Sequence, residues 1–315
     1  MSTISGTSGN DVITGTALID TIYGGSGDDL INAGADRDYI YGDDGNDTIY
    51  GNSGNDTIYG NIGNDVIYGG DGNDLIMGGD GDDWISGGKG DDLIEGGSGN
   101  DYLEGNSGAD KIQDGAGNDY ASGGTGDDLF IVGQGDDHFA GGEGFDTIQF
   151  GWATTGMQID MSAGTAVGMG NDTFEGIESV VGSVYGDTIQ GSSRADTING
   201  SAGQDIIRGM AGSDTLTGGR DGDTFLYLAK DVAVGGVSQG TDVITDFAVG
   251  DRIDLSDIYK GRASDIDSLV TMTRTELGTM LSAEIEGQHY DVAFLKGYFG
   301  STDVGALVDQ GAVLV

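Results

Sequence analysis

The chain has 315 residues, and its 54 acidic side chains outnumber its 12 basic ones, so the formal net charge at pH 7 is −42. Self-repulsion on this scale opposes a compact fold unless cations neutralise it, and it argues against nucleic acid or an anionic membrane surface as a partner. The chain has no cysteine, which excludes disulfide bonds and thiolate metal sites.

The N-terminal residues, Met1 to Gly6, carry neither the basic region nor the apolar region of a cleaved signal peptide. We therefore expect that an exported chain of this kind does not use the Sec route. No apolar run approaches the roughly 18 residues of a membrane span, so we expect no membrane insertion.

From Gly6 to Gln149 the sequence repeats every nine residues over sixteen rows, without insertion or deletion. The consensus is G-G-x-G-x-D-x-U-x, where U is apolar. The sixth position is Asp in every row, and the eighth is apolar in every row, from Ile13 to Ile148. Glycine at fixed offsets indicates backbone with positive φ or a close approach, so the first six residues of a row are predicted to form a turn. The last three are predicted to form a short strand.

Two rows make one right-handed coil in this interpretation, and stacked coils form two parallel sheets with the apolar column between them. Each Asp then lies about 5 Å above the Asp of the next coil, and bare carboxylates at that distance repel each other. A calcium ion between successive turns removes the repulsion, because it takes six to eight oxygen ligands and the turns offer only oxygen. Magnesium fits worse, since it demands tight octahedral geometry.

Rows such as 69–77 (GGDGNDLIM) and 78–86 (GGDGDDWIS) resemble the RTX (repeats-in-toxin, haemolysin-type) calcium-binding nonapeptide repeat. The resemblance implies an all-β fold, a right-handed parallel β-roll, in which turn carbonyls and the sixth-position Asp bind calcium shared between stacked turns. Seven gaps on each side allow up to about 14 calcium ions in the first block. The ligands implied are Asp11, Asp29, Asp47, Asp56, Asp65, Asp74, Asp83, Asp92, Asp101, Asp110, Asp119, Asp128, Asp137 and Asp146, and, where the turns depart from the consensus, Asp20, Asp38, Asp205 and Asp214.

Several turns of the first block depart from the consensus. Leu18 and Asp36 replace the fourth-position glycine of their rows, so we expect that N-terminal edge to bind calcium weakly or not at all. Calcium binding is expected to be less affected where the first glycine of a row is replaced. The replacements are Ala33, Asp114 and Val132.

A second block follows the first after a connector. Strands joined by glycine turns are predicted within the connector at 157–161 and 173–181. Its phrase F-E-G-I-E-S-V-V-G-S is similar to one that leads into a second block in RTX proteins. Residues 182–226 hold five more rows, with the apolar column kept but with Tyr185, Arg194 and Asp221 in place of the fourth-position glycine. We expect few ions there, with Asp205 and Asp214 as the ligands.

After Leu226 glycine thins out, and strands are predicted at 241–247, 269–275, 279–286, 291–295 and 313–315, with a short helix near 301–309. The phrases 240–247 and 251–256 resemble the C-terminal domain of RTX proteins. The resemblance implies an uncleaved type I secretion signal, the type I secretion machinery as a partner, and a secreted, extracellular or cell-surface location. The predicted domains are a main β-roll at 1–149, a strand-rich connector at 150–181, a degenerate β-roll block at 182–226, and a C-terminal β-rich cap with the secretion signal at 227–315.

No catalytic motif is apparent, so we expect no enzymatic activity. His138 and His289 lack the H-E-x-x-H spacing of a zinc protease, no G-x-S-x-G elbow of a common lipase occurs, and Glu95 and Glu104 fall on opposite sheets. A regular outward threonine array for ice binding and an amphipathic helix for a pore-forming toxin are also missing from the sequence.

Two functions fit these observations. The first is a calcium-binding protein that folds outside the cell and serves as a structural, adhesive or surface-array protein. The alternative is the calcium-binding and secretion module of an RTX enzyme, a protease, lipase or alginate epimerase, whose catalytic domain lies outside this chain. Outward tyrosines could bind a cell-surface polysaccharide or support self-association, although stacking that stiffens the sheet is favoured. They are Tyr23, Tyr41, Tyr50, Tyr59 and Tyr68.

Overall fold

The computed structural model describes residues 2–234, 236–259 and 269–314, which fold almost entirely into β-strands. They divide into two compact units. Unit 1 comprises Met1–Trp152 and Met169–Ile177, and unit 2 comprises Ala153–Gly168 and Glu178–Val315. The predicted connector is thus shared between the two units, while the four domain boundaries drawn from the sequence stay predictions.

The strands of the repeat region follow the rows of nine. They are β1 (Ser2–Ser5), β2 (Val12–Thr14), β3 (Asp20–Ser26), β4 (Leu30–Ala35), β5 (Tyr39–Asp44), β6 (Thr48–Ser53), β7 (Thr57–Ile62), β8 (Val66–Asp71), β9 (Leu75–Asp80), β10 (Trp84–Lys89), β11 (Leu93–Ser98), β12 (Tyr102–Ser107), β13 (Lys111–Ala116), β14 (Tyr120–Thr125), β15 (Leu129–Ile131), β16 (His138–Glu143) and β17 (Thr147–Gln149).

The remaining elements are shorter strands and two short helices among the described residues. They are β18 (Gln158–Asp160), β19 (Thr165–Val167), β20 (Asn171–Glu175), β21 (Ser179–Val181), β22 (Thr188–Gln190), β23 (Thr197–Asn199), β24 (Ile206–Arg208), β25 (Thr215–Thr217), β26 (Thr224–Leu226), α1 (Ala229–Val232), β27 (Ala233–Val234), β28 (Val237–Ser238), β29 (Asp242–Ile244), β30 (Arg252–Asp254), β31 (Val270–Arg274), β32 (Gly278–Ile285), β33 (Gln288–Lys296), α2 (Val304–Asp309) and β34 (Val313–Leu314). In the described ranges, no helix has the length and apolar character needed to reach across a membrane.

Unit 1 is a parallel β-roll, as predicted. The odd-numbered strands from β1 to β17 form one parallel sheet, and the even-numbered strands from β2 to β16, joined by β20, form the other. Each strand pairs with the strand two rows later in the same register, for example Ile49 with Ile67 and Ile67 with Ile85. Two rows therefore make one coil, and their apolar side chains enter the core from opposite sheets, as Ile49 on β6 and Ile58 on β7 do.

The predicted thin core between the two sheets of unit 1 is confirmed. The eighth-position side chains from Ile22 to Ile148 all have 0% exposure, and Ile13 at the N-terminal edge has 6%. Burial of one such side chain stabilises the fold by about 1.5–3 kcal/mol. The column therefore supplies most of the buried apolar side chains among the described residues of unit 1.

Most strands of unit 1 are longer than the three residues predicted. A strand such as β4 or β6 spans six residues and runs from the seventh position of one row to the third position of the next. The prediction was wrong because the turns stack in register as well, so their amides also pair from coil to coil, as in the 2.8 Å bond from Gly54 N–H to the Asp71 carbonyl. The second position nevertheless keeps a positive φ, for example 121° at Gly34.

Unit 2 contains a second, shorter roll. One of its sheets has the order β21-β23-β25-β29-β33-β32-β31, and the other has the order β19-β18-β22-β24-β26-β30-β34. The apolar column of the five rows is buried, with 0% exposure from Ile198 to Phe225. The strands predicted after Leu226 and the short helix are present with shifts of a few residues at their ends. Residues 173–181, read from the sequence as part of a stretch of strands joined by glycine turns, contain the end of β20 and all of β21, separated by Gly176 with φ 66°.

Candidate metal sites between stacked turns

The sixth-position aspartates of unit 1 form two ladders of hydrogen bonds. The backbone N–H of Asp47 donates to Oδ1 of Asp65 at 2.7 Å, and the N–H of Asp65 donates to Oδ1 of Asp83 at 2.8 Å. The same bond joins each sixth-position Asp to the one eighteen residues later along the block. Each carboxylate is thereby held in one orientation, with Oδ1 already used.

The second oxygen, Oδ2, is buried and has no hydrogen-bond partner among the described residues in most rows. A buried polar atom in this state costs on the order of 1–3 kcal/mol, and more when it is charged, so these oxygens require a partner that the chain does not supply. In unit 1 the atom belongs to Asp29, Asp38, Asp47, Asp56, Asp65, Asp74, Asp83, Asp92, Asp101, Asp110, Asp119, Asp128, Asp137 and Asp172.

Backbone carbonyls surround the same space. An ideal Cβ added to Gly51 would lie 2.6 Å from Asp56 Oδ2 and 2.6 Å from the carbonyl oxygen of Gly69 in the next coil. At Gly24 the corresponding distances are 2.6 Å to Asp29 Oδ2 and 2.5 Å to the Gly42 carbonyl oxygen. The first position of a row is therefore glycine because a side chain would fill a cradle of oxygen atoms. Carboxylate and carbonyl oxygens are the donor set that calcium prefers, so the residues fit this ion.

Burial also changes the acidity of the ladder. It raises the pKa of Asp56 to about 7, and the negative charges of Asp74 and Asp38 add to the effect. Burial likewise raises the pKa of Asp83 and Asp92 to about 7 and that of Asp65 to about 6. Protons and cations therefore compete for the same oxygens near neutral pH.

The first two rows of unit 1 satisfy their aspartates differently. The backbone N–H and the hydroxyl of Thr7 donate to Asp11 Oδ2 at 2.6 and 2.8 Å, and those of Thr16 donate to Asp20 Oδ2 at 2.7 and 2.8 Å. Asp11 and Asp20, both predicted ligands, thus lack the unpartnered oxygen of the later rows. Asp38 lies at the edge where weak calcium binding was expected. Its Oδ2 is nevertheless buried and has no hydrogen-bond partner within the described chain.

The second block opens in the same way. Ser183 donates from its N–H to Asp187 Oδ2 and from its hydroxyl to Asp187 Oδ1, each at 2.7 Å, and Ser192 bonds Asp196 in a similar manner. A hydroxyl residue at the second position of a row was the sequence signal for these turns, and it was missed. In the later rows the second position takes a positive φ instead, as at Asn52 with φ 75°.

Farther into unit 2, Oδ2 of Asp205, Asp214 and Asp223 is buried and has no partner within the described ranges. Asp205 and Asp214 were expected here, whereas Asp223 was not. The ladder continues beyond the rows, since the N–H of Asp214 donates to Asp242 Oδ1 at 3.1 Å and that of Asp223 to Asp251 Oδ1 at 3.1 Å. Burial and the charge of Asp242 raise the pKa of Asp214 to about 8.

Asp114, which replaces the first glycine of its row, has surroundings that differ from those predicted. It was expected to be a mild defect at a first position, yet its carboxylate is fully buried beside those of Asp119 and Asp137. Oxygen atoms of the three groups lie within 4.8 Å of one another, the one such group of three among the described residues. Burial and the charge of Asp137 raise the pKa of Asp114 to about 8.

The outward tyrosines stack on one another. Ring centroids of Tyr23 and Tyr41, and of Tyr41 and Tyr59, are 5.0 Å apart with nearly parallel planes. On the other sheet Tyr50 and Tyr68 stack at 4.9 Å, and seventh-position rings that the sequence did not single out extend this row. They are Trp84, Tyr102, Tyr120 and His138. Because the rings cover one another's faces, the arrangement favours stiffening of the sheet over sugar stacking, which needs a free face.

Comparison with known proteins agrees with this geometry. A family model that spans four copies of the RTX calcium-binding nonapeptide repeat matches this chain. The matched residues are 5–40, 14–49, 41–76, 77–112, 113–148, 181–216 and 190–225. Among curated proteins, no significant relative of the chain is found.

Two solved structures are similar to the chain at a low level. A hyperactive, Ca²⁺-dependent, β-helical antifreeze protein from an Antarctic bacterium has 18% identity and a TM-score of 0.35, over 81% of this chain and 86% of that chain. The extracellular lipase LipA from Serratia marcescens has 18% identity and a TM-score of 0.22, over 78% of this chain and 40% of that chain. Neither similarity says what this chain binds or does.

Proposed function

The chain belongs to the family of proteins with RTX calcium-binding nonapeptide repeats, and we propose that it is a secreted, non-catalytic protein that folds on binding calcium outside the cell. Its role in this proposal is structural, adhesive or array-forming at or beyond the cell surface. Calcium is the ligand of the repeats, and the fold that carries them is the parallel β-roll.

The observation that carries the proposal is the ladder of buried Oδ2 atoms, which have no hydrogen-bond partner within the described chain. Asp47, Asp65 and Asp83 illustrate the arrangement, since each has Oδ1 bound by an amide of the preceding coil while Oδ2 faces turn carbonyls. Bound calcium supplies the positive charge that such a column of carboxylates needs in order to stay ionised and buried. The aspartates provide carboxylate oxygens in a fixed orientation, and the first-position glycines, which have no side chain, leave space for the ion between the turns.

Calcium binding and folding are coupled in this proposal. A ligand that binds only the folded chain stabilises it by RT ln(1 + [L]/Kd) at each site, and many sites make the dependence on calcium steep. Without calcium, the net charge of −42 keeps the chain expanded. With affinities of roughly 10⁻⁴ to 10⁻³ M, typical of extracellular calcium modules, the chain stays unfolded where calcium is scarce and folds where it is abundant.

Export by a type I secretion machinery fits the same switch. An unfolded chain is the form that a narrow channel can pass, and the calcium threshold places folding on the outer side of the membrane. The resemblance of residues 240–247 and 251–256 to the C-terminal domain of RTX proteins supports this part of the proposal.

The absence of a catalytic role is likewise proposed. The aspartates that dominate the chain are fixed by amide hydrogen bonds from the neighbouring coil, which suits ion binding better than proton transfer. The histidines have structural contacts: His138 Nδ1 lies 2.8 Å from the Thr173 hydroxyl, and His289 Nε2 lies 3.7 Å from Glu284.

Circular dichroism of the whole chain tests the proposal. In excess EGTA we expect the β-strand signal to be lost, in millimolar calcium we expect it to return, and the same concentration of magnesium should not restore it. Strand content that is the same in EGTA and in calcium would overturn the proposed switch.

A further inference from the structure

We propose that Asp114, Asp119 and Asp137 form a three-carboxylate calcium site that binds its ion more tightly than the surrounding sites with a glycine at the first position. This inference rests on the proposed function and deepens it. It concerns one position, the first residue of the row 114–122, where the repeat would have glycine.

The direction of the Asp114 side chain follows from the turn. In other rows a Cβ at the first position would point at the sixth-position carboxylate of the same row, as at Gly96, where it would lie 2.5 Å from Asp101 Oδ2. A side chain at this position must therefore enter the space between the stacked turns. Ala33 and Val132 bring apolar groups into that space, whereas Asp114 brings a carboxylate.

The bonding of Asp114 shows how this carboxylate is held. Its Oδ1 accepts hydrogen bonds from the N–H groups of Gly115 at 2.8 Å and Gly133 at 2.7 Å. Its Oδ2 is buried and has no partner within the described ranges, although the residue is 0% exposed. The group is thus fixed by two amides, and one of its oxygens lies within 4.8 Å of an oxygen of each of the other two carboxylates.

The two neighbours are in the same condition. Asp119 and Asp137 lie on successive coils, joined by the 2.9 Å bond from Asp119 N–H to Asp137 Oδ1. Both have an Oδ2 without a partner in the part of the chain that the structure describes, and both are less than 5% exposed. Three buried carboxylates, each with an oxygen that needs a partner, therefore lie together, whereas no other site among the described residues brings three carboxylates within this distance.

The charges at this point need a cation. None of the ion pairs within the described residues involves these three groups; those pairs join Lys89 to Asp71, Arg208 to Asp231 and His289 to Glu284. One shared proton cancels one negative charge of three, whereas a divalent ion cancels two and contacts all three groups. Because calcium affinity increases with the number of charged ligands, this site is the tightest of its ladder.

The test is the number of calcium ions that the full chain retains in equilibrium dialysis at stepwise lower buffered calcium, measured by atomic emission. We expect the wild-type chain to hold one ion at a calcium concentration about tenfold below that which fills the rest. Asp114→Gly restores the repeat consensus, so its ion should bind only at the calcium concentration that fills the other sites, while those sites and the fold are unchanged. Ala33→Gly, which restores the same consensus in a distant row, should keep the tight ion.

Asp114→Asn is the second variant, because it keeps the shape and the amide contacts of the side chain but removes its charge. It should weaken the tight ion about tenfold or more, and this result decides the question if Asp114→Gly fails to fold. A tight ion that persists in both variants, or a wild-type chain whose ions all bind with one affinity, overturns the inference and leaves the proposed function intact. A wild-type chain that binds no calcium overturns the proposed function itself.

Discussion

The backbone N–H of Asp65 donates a 2.8 Å hydrogen bond to Oδ1 of Asp83, the residue eighteen positions later, and Oδ2 of Asp83 is left without a partner among the described residues. One contact thus does two things. It fixes the register between coils, because the amide and the carboxylate must meet, and it presents the second oxygen to the space where a cation fits. Repetition of this contact turns a sequence period into a column of identical sites.

Replacement of a ladder carboxylate should weaken calcium binding without unfolding the roll. Asp83→Asn keeps an oxygen that can accept the amide bond but removes the charge, so we expect at least one calcium to bind about tenfold more weakly. The free energy of unfolding at saturating calcium should then fall by about 1.4 kcal/mol. Calcium titration and urea unfolding in calcium measure both effects. Asp71→Asn is the control, because Asp71 is an exposed residue paired with Lys89, and it should change neither value.

The stability of the folded chain should change with pH in opposite directions in the absence and in the presence of calcium. Burial raises the pKa of Asp47 and Asp56 to about 7 in the folded chain, against about 3.9 in an unfolded chain. A carboxyl group with a raised folded pKa binds protons preferentially in the folded state, so its stabilisation is complete below pH 4 and is lost as the pH rises through about 7. In EGTA, the folded fraction of the chain should therefore fall between pH 4 and pH 8, and the chain should be unfolded at pH 8.

In calcium the sign changes, since calcium needs the ionised carboxylate, and stability should rise over the same interval. The β-strand signal in circular dichroism at pH 5 and pH 8 in EGTA, and the thermal unfolding midpoint at the same two pH values in calcium, give the four values. Stability that rises with pH in EGTA would contradict the assignment of protonated carboxyls to the calcium-free ladder.

The apolar column should tolerate little truncation. Ile94→Ala removes a side chain of 0% exposure from the core of unit 1 and should cost about 2–5 kcal/mol. Leu93→Ala, one residue earlier on the outer face with 39% exposure, is the matched control and should cost far less. Equal losses in calcium-saturated denaturant unfolding would mean that the core does not lie between the sheets.

The threonine turns should stabilise the N-terminal edge independently of calcium. Thr16→Val removes the hydroxyl that donates to Asp20 Oδ2 at 2.8 Å and leaves the backbone bond in place. We expect a loss of about 1 kcal/mol that is the same at low and high calcium, as long as the chain is folded. Thr48→Val makes the same chemical change at an outward seventh position, and it should be nearly neutral. A loss that grows with calcium concentration would instead identify Asp20 as a calcium ligand.

Much of the fold could be predicted because the period leaves few alternatives. Ile49 and Ile67 hold the same position of their rows and must both be buried, and coils of two rows bury them between two sheets. The length of the strands could not be predicted in this way, since pairing of turn amides depends on how closely the coils stack. The break between β20 and β21 lies at Gly176, with φ 66°, where the sequence had indicated strands joined by glycine turns.

The site was only partly predictable. The sixth-position aspartates follow from the period, but Asp172, Asp242 and Asp251 join the ladders after intervals of 35 or 28 residues, which break it. Each of them keeps the local pattern Asp, any residue, apolar residue, which was the available signal. Asp114 was misjudged because a consensus treats any replacement of glycine as a loss, whereas the direction of its side chain depends on the turn geometry.

The central claim is that calcium bound between the turns holds the roll together, and its most direct test is the free energy of unfolding of the whole chain as a function of free calcium. Each ion bound only by the folded state adds about 1.4 kcal/mol per tenfold increase in calcium above its Kd. We predict a dependence several times steeper than that value, as many coupled sites require. A free energy of unfolding that does not change with calcium concentration would contradict the claim. A change of no more than about 1.4 kcal/mol per tenfold increase in calcium, the value for a single ion, would contradict it as well.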